Sequence, residues 1–345
     1  MAVARTFVVI MAIGLIVAAA ADYYGSGNAG VTEDTTAATT NAPDKGGDAE
    51  TGQRTCGLTG VGVIGDLFKT SVNGSSSMKN HGSHLVFPTI VGGQLALRNQ
   101  LCWQISLRIL FPNGIGNCGG TILGPSTILT AAHCFDGAIT GANQLASEFA
   151  KNVRVRTGSL KSDAIPTDDE TGCATQYTVK TITLHPQYDK SRNINDIAVL
   201  TLNKAMSFED KPCQCTACIE DREPTVGDVC IVSGTGNEFT DDTNPSRPMK
   251  YVNVTILENV PALCNVVDAA TDQQQTLCAG GVIGQNFCVG DSGGPLVCRS
   301  PLDSNLYSAG VVSESGNVCA NEKNGKLTKT KFYLSWIRSV SVDDL

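Results

Sequence analysis

The chain has 345 residues, 41% of them hydrophobic, and a formal net charge of −8, which is enough apolar material for one β-rich domain of about 250 residues plus extensions. The balance is acidic and no Lys/Arg run is long enough to follow a phosphate backbone, which argues against nucleic acid as a partner. Fourteen cysteines behind an export signal read as a disulfide framework from an oxidising compartment rather than as metal sites.

That signal lies at the start. Arg5 precedes an apolar run at 7–17, and Ala18-Ala19-Ala20-Ala21 precedes Asp22, the layout of a signal peptide over residues 1–21. The run falls short of the ~20 residues a spanning helix needs, so the mature form is expected to be secreted, without a membrane partner. Residues 22–55 are rich in Gly, Thr, Ala, Asn and Asp and read as disordered. Gly60-Val61-Gly62-Val63-Ile64-Gly65 has the letters of a dinucleotide fingerprint, but no clear strand precedes it and no βαβ unit surrounds it, so we read it as chance. Asn73-Gly74-Ser75 and Asn253-Val254-Thr255 are glycosylation acceptor patterns.

From residue 90 onward the pattern is β. Trp103, Ile105, Leu107 and Ile109 alternate with Gln104, Ser106 and Arg108, as in a half-buried strand. Val153 and Val155 alternate with Arg154 and Arg156, and Val252, Val254 and Ile256 with Tyr251, Asn253 and Thr255. Short strands with Gly/Asn/Asp/Pro punctuation fit a sandwich or a barrel. At the end, Phe332, Trp336, Ile337 and Val340 recur at helical spacing.

Chemistry concentrates in three motifs. Gly290-Asp291-Ser292-Gly293-Gly294-Pro295-Leu296 sets a serine hydroxyl in a tight turn beside backbone N–H groups. A serine is a weak nucleophile until a base activates it and a third group orients that base. Thr130-Ala131-Ala132-His133-Cys134 and Asn195-Asp196-Ile197-Ala198-Val199-Leu200 supply both. Of the four histidines, His81 and His84 precede Ile90 and His185 sits in a His-Pro turn that reads as structural.

The order His, Asp, Ser, together with Ile90-Val91-Gly92-Gly93, resembles the trypsin/chymotrypsin family of secreted serine endopeptidases. The resemblance covers residues 90–345 and implies an all-β fold: two packed antiparallel β-barrels with the active site between them and a short C-terminal helix. It makes His133, Asp196 and Ser292 the catalytic triad and the N–H groups of Gly290 and Ser292 the oxyanion hole. No cofactor is implied. It further implies a zymogen with residues 22–89 as propeptide, cut so that the new terminus at Ile90 pairs with Asp291. Thr89 stands where a basic residue is usual, so the activating protease is not trypsin itself, or a first cut elsewhere is followed by trimming. Partners are protein or peptide substrates, that protease, and protein inhibitors.

By the same resemblance Cys118 pairs with Cys134, Cys264 with Cys278, Cys288 with Cys319, and Cys230 with Cys298. Cys56 resembles the cysteine that tethers the propeptide, with a partner among Cys213, Cys215 and Cys218; that cluster also has the alternative of binding metal. Cys102 and Cys173 are unassigned. A long loop carrying Asp163, Asp168, Asp169 and Glu170 reads as solvated, with a calcium site as the alternative.

The specificity pocket is expected to have Asn286 at its bottom and Ser313, Ser315 and Gly325 as walls. Asn286 supplies no anion for a substrate Arg or Lys, and a buried cation without a partner is costly. Ser315 replaces a common glycine, and Phe287 adds bulk. A neutral substrate residue, hydrophobic or small, is therefore expected before the scissile bond. Glu314 stands where the family almost always has tryptophan. With Thr89, it motivates the alternative of a non-catalytic protease homologue acting as an extracellular binding module.

Overall fold

The alternation from Trp103 to Ile109 becomes a strand whose odd residues are buried and whose Ser106 and Arg108 are half-buried, because a pleated strand sends successive side chains to opposite faces. The structure is a computed structural model, and it describes residues 56–57, 67–68, 90, 93–141, 143–162, 172–211, 213–236, 248–264, 273–280, 287–288, 290–314 and 324–345. Its strands are β1 (Gln94–Leu95), β2 (Gln104–Phe111), β3 (Gly114–Ile122), β4 (Thr127–Thr130), β5 (Ile139–Thr140), β6 (Gln144–Leu145), β7 (Val153–Thr157), β8 (Thr175–Leu184), β9 (Ala198–Leu202), β10 (Val229–Gly234), β11 (Lys250–Leu257), β12 (Thr276–Gly280), β13 (Pro295–Arg299), β14 (Leu306–Glu314) and β15 (Gly325–Lys329). The signal peptide, most of the expected propeptide and the acidic loop at 163–170 lie outside the described residues.

Two closed antiparallel barrels result. The first runs β2-β3-β4-β9-β8-β7. The second runs β11-β10-β13-β14-β15-β12 and closes through β11–β12, with β1 added outside β11. Ile105, Leu107, Ile122, Leu129, Val155, Val199 and Leu200 fill the first core. Val232, Val254, Leu277, Leu296, Val312 and Leu327 fill the second, where Ile90 and Phe287 join them. Closure pairs the strands of each barrel on both sides and leaves open edges, among the described residues, at β1 and at the separate β5–β6 pair, and the all-β double barrel matches the fold expected above.

A separate apolar cluster receives Leu67 beside Trp103, Tyr251 and Leu306, and Phe68 lies 4.8 Å beneath the Arg299 guanidinium. Asn253 is half-buried in β11 and its Oδ1 is shielded from water, a more closed setting than its acceptor pattern suggests. The C-terminal helix (Leu334–Val340) buries Leu334 and Ile337. Phe332, expected on its apolar face, instead belongs to the preceding 3-10 turn and is exposed, while Tyr333 takes the buried place.

Six disulfides join described residues: Cys56–Cys218, Cys102–Cys215, Cys118–Cys134, Cys173–Cys213, Cys230–Cys298 and Cys264–Cys278. The three cysteines at 213, 215 and 218 thus bond to three separate partners, which leaves no thiolate for a metal. Cys288 is also disulfide-bonded; Cys319 lies outside the described residues.

Candidate active site

His133 is positioned by the end of a strand. β4 stops at Thr130, whose hydroxyl donates to the Gly119 carbonyl at 2.8 Å. The small buried Ala131 and Ala132 then turn the chain into a 3-10 helix, His133–Ala138. Cys118–Cys134 staples this turn to β3. The sulfurs of that bridge lie within 4.8 Å of a His133 ring nitrogen, but they are bonded to each other and so offer no metal ligands.

Asp196 is fully buried just before β9. Its Oδ2 is 2.7 Å from His133 Nδ1, and its Oδ1 accepts the His133 backbone N–H at 2.9 Å. Ser313 Oγ donates to Oδ2 at 2.5 Å, and Thr328 Oγ1 to the Asp196 carbonyl at 2.8 Å. Asn195 adopts φ +53°, a left-handed setting that Asn tolerates. Its side chain accepts from Tyr333 Oη and donates to the Gln187 carbonyl. Burial raises the Asp196 carboxyl's pKa, but the His133 charge and hydrogen bond, aided by Ser313, outweigh it and hold the pKa below the ordinary value. For His133, burial lowers the imidazole's pKa, yet Asp196, with Asp136 and Glu314 behind it, leaves the net value raised.

Ser292 comes from the second barrel. Its carbonyl accepts the Gly119 N–H at 2.7 Å and lies 3.9 Å from Cys134 Sγ, so the serine turn is seated against the histidine turn. Gly293 has φ +75°, and a Cβ there would fall 2.2 Å from Thr130 Oγ1. Only glycine fits both the backbone and the space. Among the described residues no hydrogen bond joins Ser292 Oγ to His133, a contact that often tightens only when substrate binds. Gly290 has φ +95°. Among the described residues, the N–H groups of Gly290 and Ser292 have no hydrogen-bond acceptor.

Ile90 and Asp291 are both buried in the second barrel. Asp291 accepts from the N–H groups of Gly236 at 2.8 Å and Cys288 at 2.9 Å. Asn286 and Ser315 lie outside the described residues. Gly325 faces the ring of Phe287, which sits 1.9 Å from where a Cβ would be, so Phe287 occupies space that a side chain at 325 would need. Ser313, expected in the pocket wall, has its hydroxyl turned toward Asp196. β14 and β15 pair Val312 with Leu327 and Glu314 with Lys326, and the register shifts between them. Ser313 is the extra residue, and such bulges re-aim a side chain.

His185 is structural, as read from the sequence: it packs edge-on against Tyr333 and Trp336, and burial lowers its pKa. The sequence reading missed Asp136, which follows His133 by three residues. In the structure Asp136 Oδ1 accepts from Tyr188 Oη at 3.0 Å, and its carboxylate lies 3.8 Å from Lys190. The available signal was spacing, since residues i and i+3 stack on one side of a 3-10 helix.

A double barrel carrying a buried aspartate on a histidine, opposite a glycine-flanked serine, defines a class of hydrolase scaffold, and the comparisons agree. The family model described as Trypsin matches residues 90–337. Tryptase of Mus musculus is 30% identical over 259 residues, covering 72% of this chain and 87% of its own. Tonin of Rattus norvegicus is 30% identical over 263 residues, covering 73% and 89%. A third relative, an inactive CLIP domain-containing serine protease A3 of Aedes aegypti, is 31% identical over 250 residues, covering 69% of this chain and 48% of its own. The chain belongs to the trypsin family of serine proteases.

Proposed function

We propose that this protein is a secreted serine endopeptidase, made as a zymogen, that hydrolyses peptide bonds through His133, Asp196 and Ser292. The observation that carries the reading is the fully buried Asp196 carboxylate, bonded to both Nδ1 and the backbone N–H of His133. With Nδ1 engaged, Nε2 is left to act on the nucleophile. Ser292 Oγ bonds to the scissile carbonyl carbon while its proton passes to Nε2, and Asp196 stabilises the resulting imidazolium. The carbonyl oxygen, now an anion, takes hydrogen bonds from the N–H groups of Gly290 and Ser292; losing one such donor costs about a hundredfold to a thousandfold in rate. Nε2 then protonates the departing amine. Water repeats the sequence on the acyl-enzyme and frees Ser292.

Substrate preference follows from the pocket. Asn286 provides no anion, and Phe287 packs on Gly325, which together favour a neutral side chain, hydrophobic or small, before the cut. Activation is by cleavage before Ile90 by a protease that accepts Thr89. A second reading, a non-catalytic homologue that binds rather than cleaves, is favoured by the similarity to the Aedes aegypti protein named inactive.

Two measurements test the proposal. A serine-directed phosphonylating probe labels Ser292 in protein processed to Ile90, and new peptide termini appear when that protein is mixed with a denatured proteome. Both signals vanish in Ser292→Ala. Absence of labelling in the processed wild type rejects catalysis in favour of the binding homologue.

A further inference from the structure

Near His133 lies a charged pair that the proposed triad does not use. At the bulge in β14, Glu314 comes to lie opposite Lys326, and Lys326 Nζ stands 3.2 Å from Glu314 Oε2. The lysine side chain is only 1% exposed, while that of the glutamate is 31% exposed. An ammonium taken out of water needs an anion beside it; Glu314 supplies it at ion-pair distance, although Nζ makes no hydrogen bond among the described residues, and Lys326 is itself out of reach of any substrate. The pole of the pair that meets solvent is the carboxylate. It is near enough to His133 for its charge to favour the imidazolium.

We infer that Glu314, held by buried Lys326, is a specificity-determining residue that selects Lys or Arg at the substrate position immediately before the one donating the scissile carbonyl. The inference rests on the endopeptidase reading and names a substrate class for it. In an extended peptide, successive side chains point to opposite faces. When one enters the pocket beside Gly325 and Phe287, its predecessor emerges on the side of His133 and Glu314. A cation there pairs with the carboxylate, whereas a large apolar group strips water from it without compensation. The primary pocket still takes a neutral residue, so the chain reads charge one residue upstream of the cut.

The test uses processed, secreted protein and fluorogenic peptides with Ala before the cut and either Lys or Leu preceding it. The expected kcat/KM ratio favours Lys by about tenfold, the scale of one partly exposed charge-assisted contact. It falls toward unity in the double variant Glu314→Gln, Lys326→Met, which removes both charges of the pair together. Added salt also lowers the wild-type ratio, a readout that does not depend on the variant folding. A ratio favouring Leu, or one unmoved by either change, overturns the inference. Phosphonate labelling is run alongside: labelled protein with an unmoved ratio sinks this inference alone, and unlabelled wild type sinks the endopeptidase reading and this inference with it.

Discussion

The backbone N–H of Gly119, in the first barrel, donates to the carbonyl oxygen of Ser292, in the turn leading to β13 of the second, at 2.7 Å. One main-chain bond thus joins the strand beside the histidine turn to the residue proposed as nucleophile. A second link, Ser233 Oγ to Gln104 Oε1 at 2.6 Å, ties β10 to β2. Buried bonds of this kind set the relative position of the barrels more narrowly than apolar contact does, because they are directional.

The seat of Ser292 is therefore sensitive to its neighbour. Gly293→Ala places a Cβ against Thr130 Oγ1 and forces an L-residue to φ +75°. We expect a loss of about 1–3 kcal/mol of stability from the backbone alone, and loss of phosphonate labelling at temperatures where the protein is still folded. Thermal unfolding and labelling on one sample check this; full labelling would show that the turn is not constrained by Thr130.

Ser313→Ala removes a donor from a carboxylate with no access to water. The expected cost is about 2 kcal/mol in stability, together with a lower kcat at unchanged KM, since the hydroxyl is engaged with Asp196. Ser313→Thr, which retains a hydroxyl, should recover part of both. A change in KM alone would assign Ser313 to the pocket instead.

The pH profile follows from the signs of the two shifts. Attack needs neutral imidazole, and the His133 pKa is raised, so the acid limb of kcat/KM should lie above the ordinary histidine value of about 6.5. The raised histidine contributes stability fully below its unfolded pKa, and this is lost as pH rises through the folded value. Asp196, with its pKa lowered, contributes above its unfolded pKa and loses that contribution as pH falls through the folded value. Asp136→Asn removes one of the anions that favour the imidazolium, so the acid limb should move to lower pH. An unmoved limb would mean that Lys190 and Tyr188 already neutralise Asp136.

Cys56 is bonded to Cys218, and Gly57 adds two backbone bonds, to Thr216 and Leu306. After cleavage before Ile90, the amino-terminal piece should stay attached under denaturing, non-reducing conditions and separate on reduction. In Cys56→Ser it should separate without reductant, as mass spectrometry of the cleaved protein will show.

Much of this was legible in the chain itself. Period-two alternation marked β2, β7 and β11 because one face of each must be buried. The local turns around His133 and Ser292 were legible because a tight serine turn needs glycine and a histidine turn seated on a core needs small residues. Contacts that join distant segments were not legible. Cys56 had three candidate partners by spacing, and only the docking of Gly57 against Leu306 selected Cys218. The bond from Ser313 to Asp196 depends on the bulge in β14, which no local pattern announces. Lys326 carried no signal at all, since a lysine in a strand is ordinarily solvated and its burial depends on Glu314 arriving opposite it. The sequence by itself determined the elements and the chemical groups, through local periodicity and turn sterics. Only the tertiary structure decided which groups meet, because register and barrel closure bring together residues that no local rule connects.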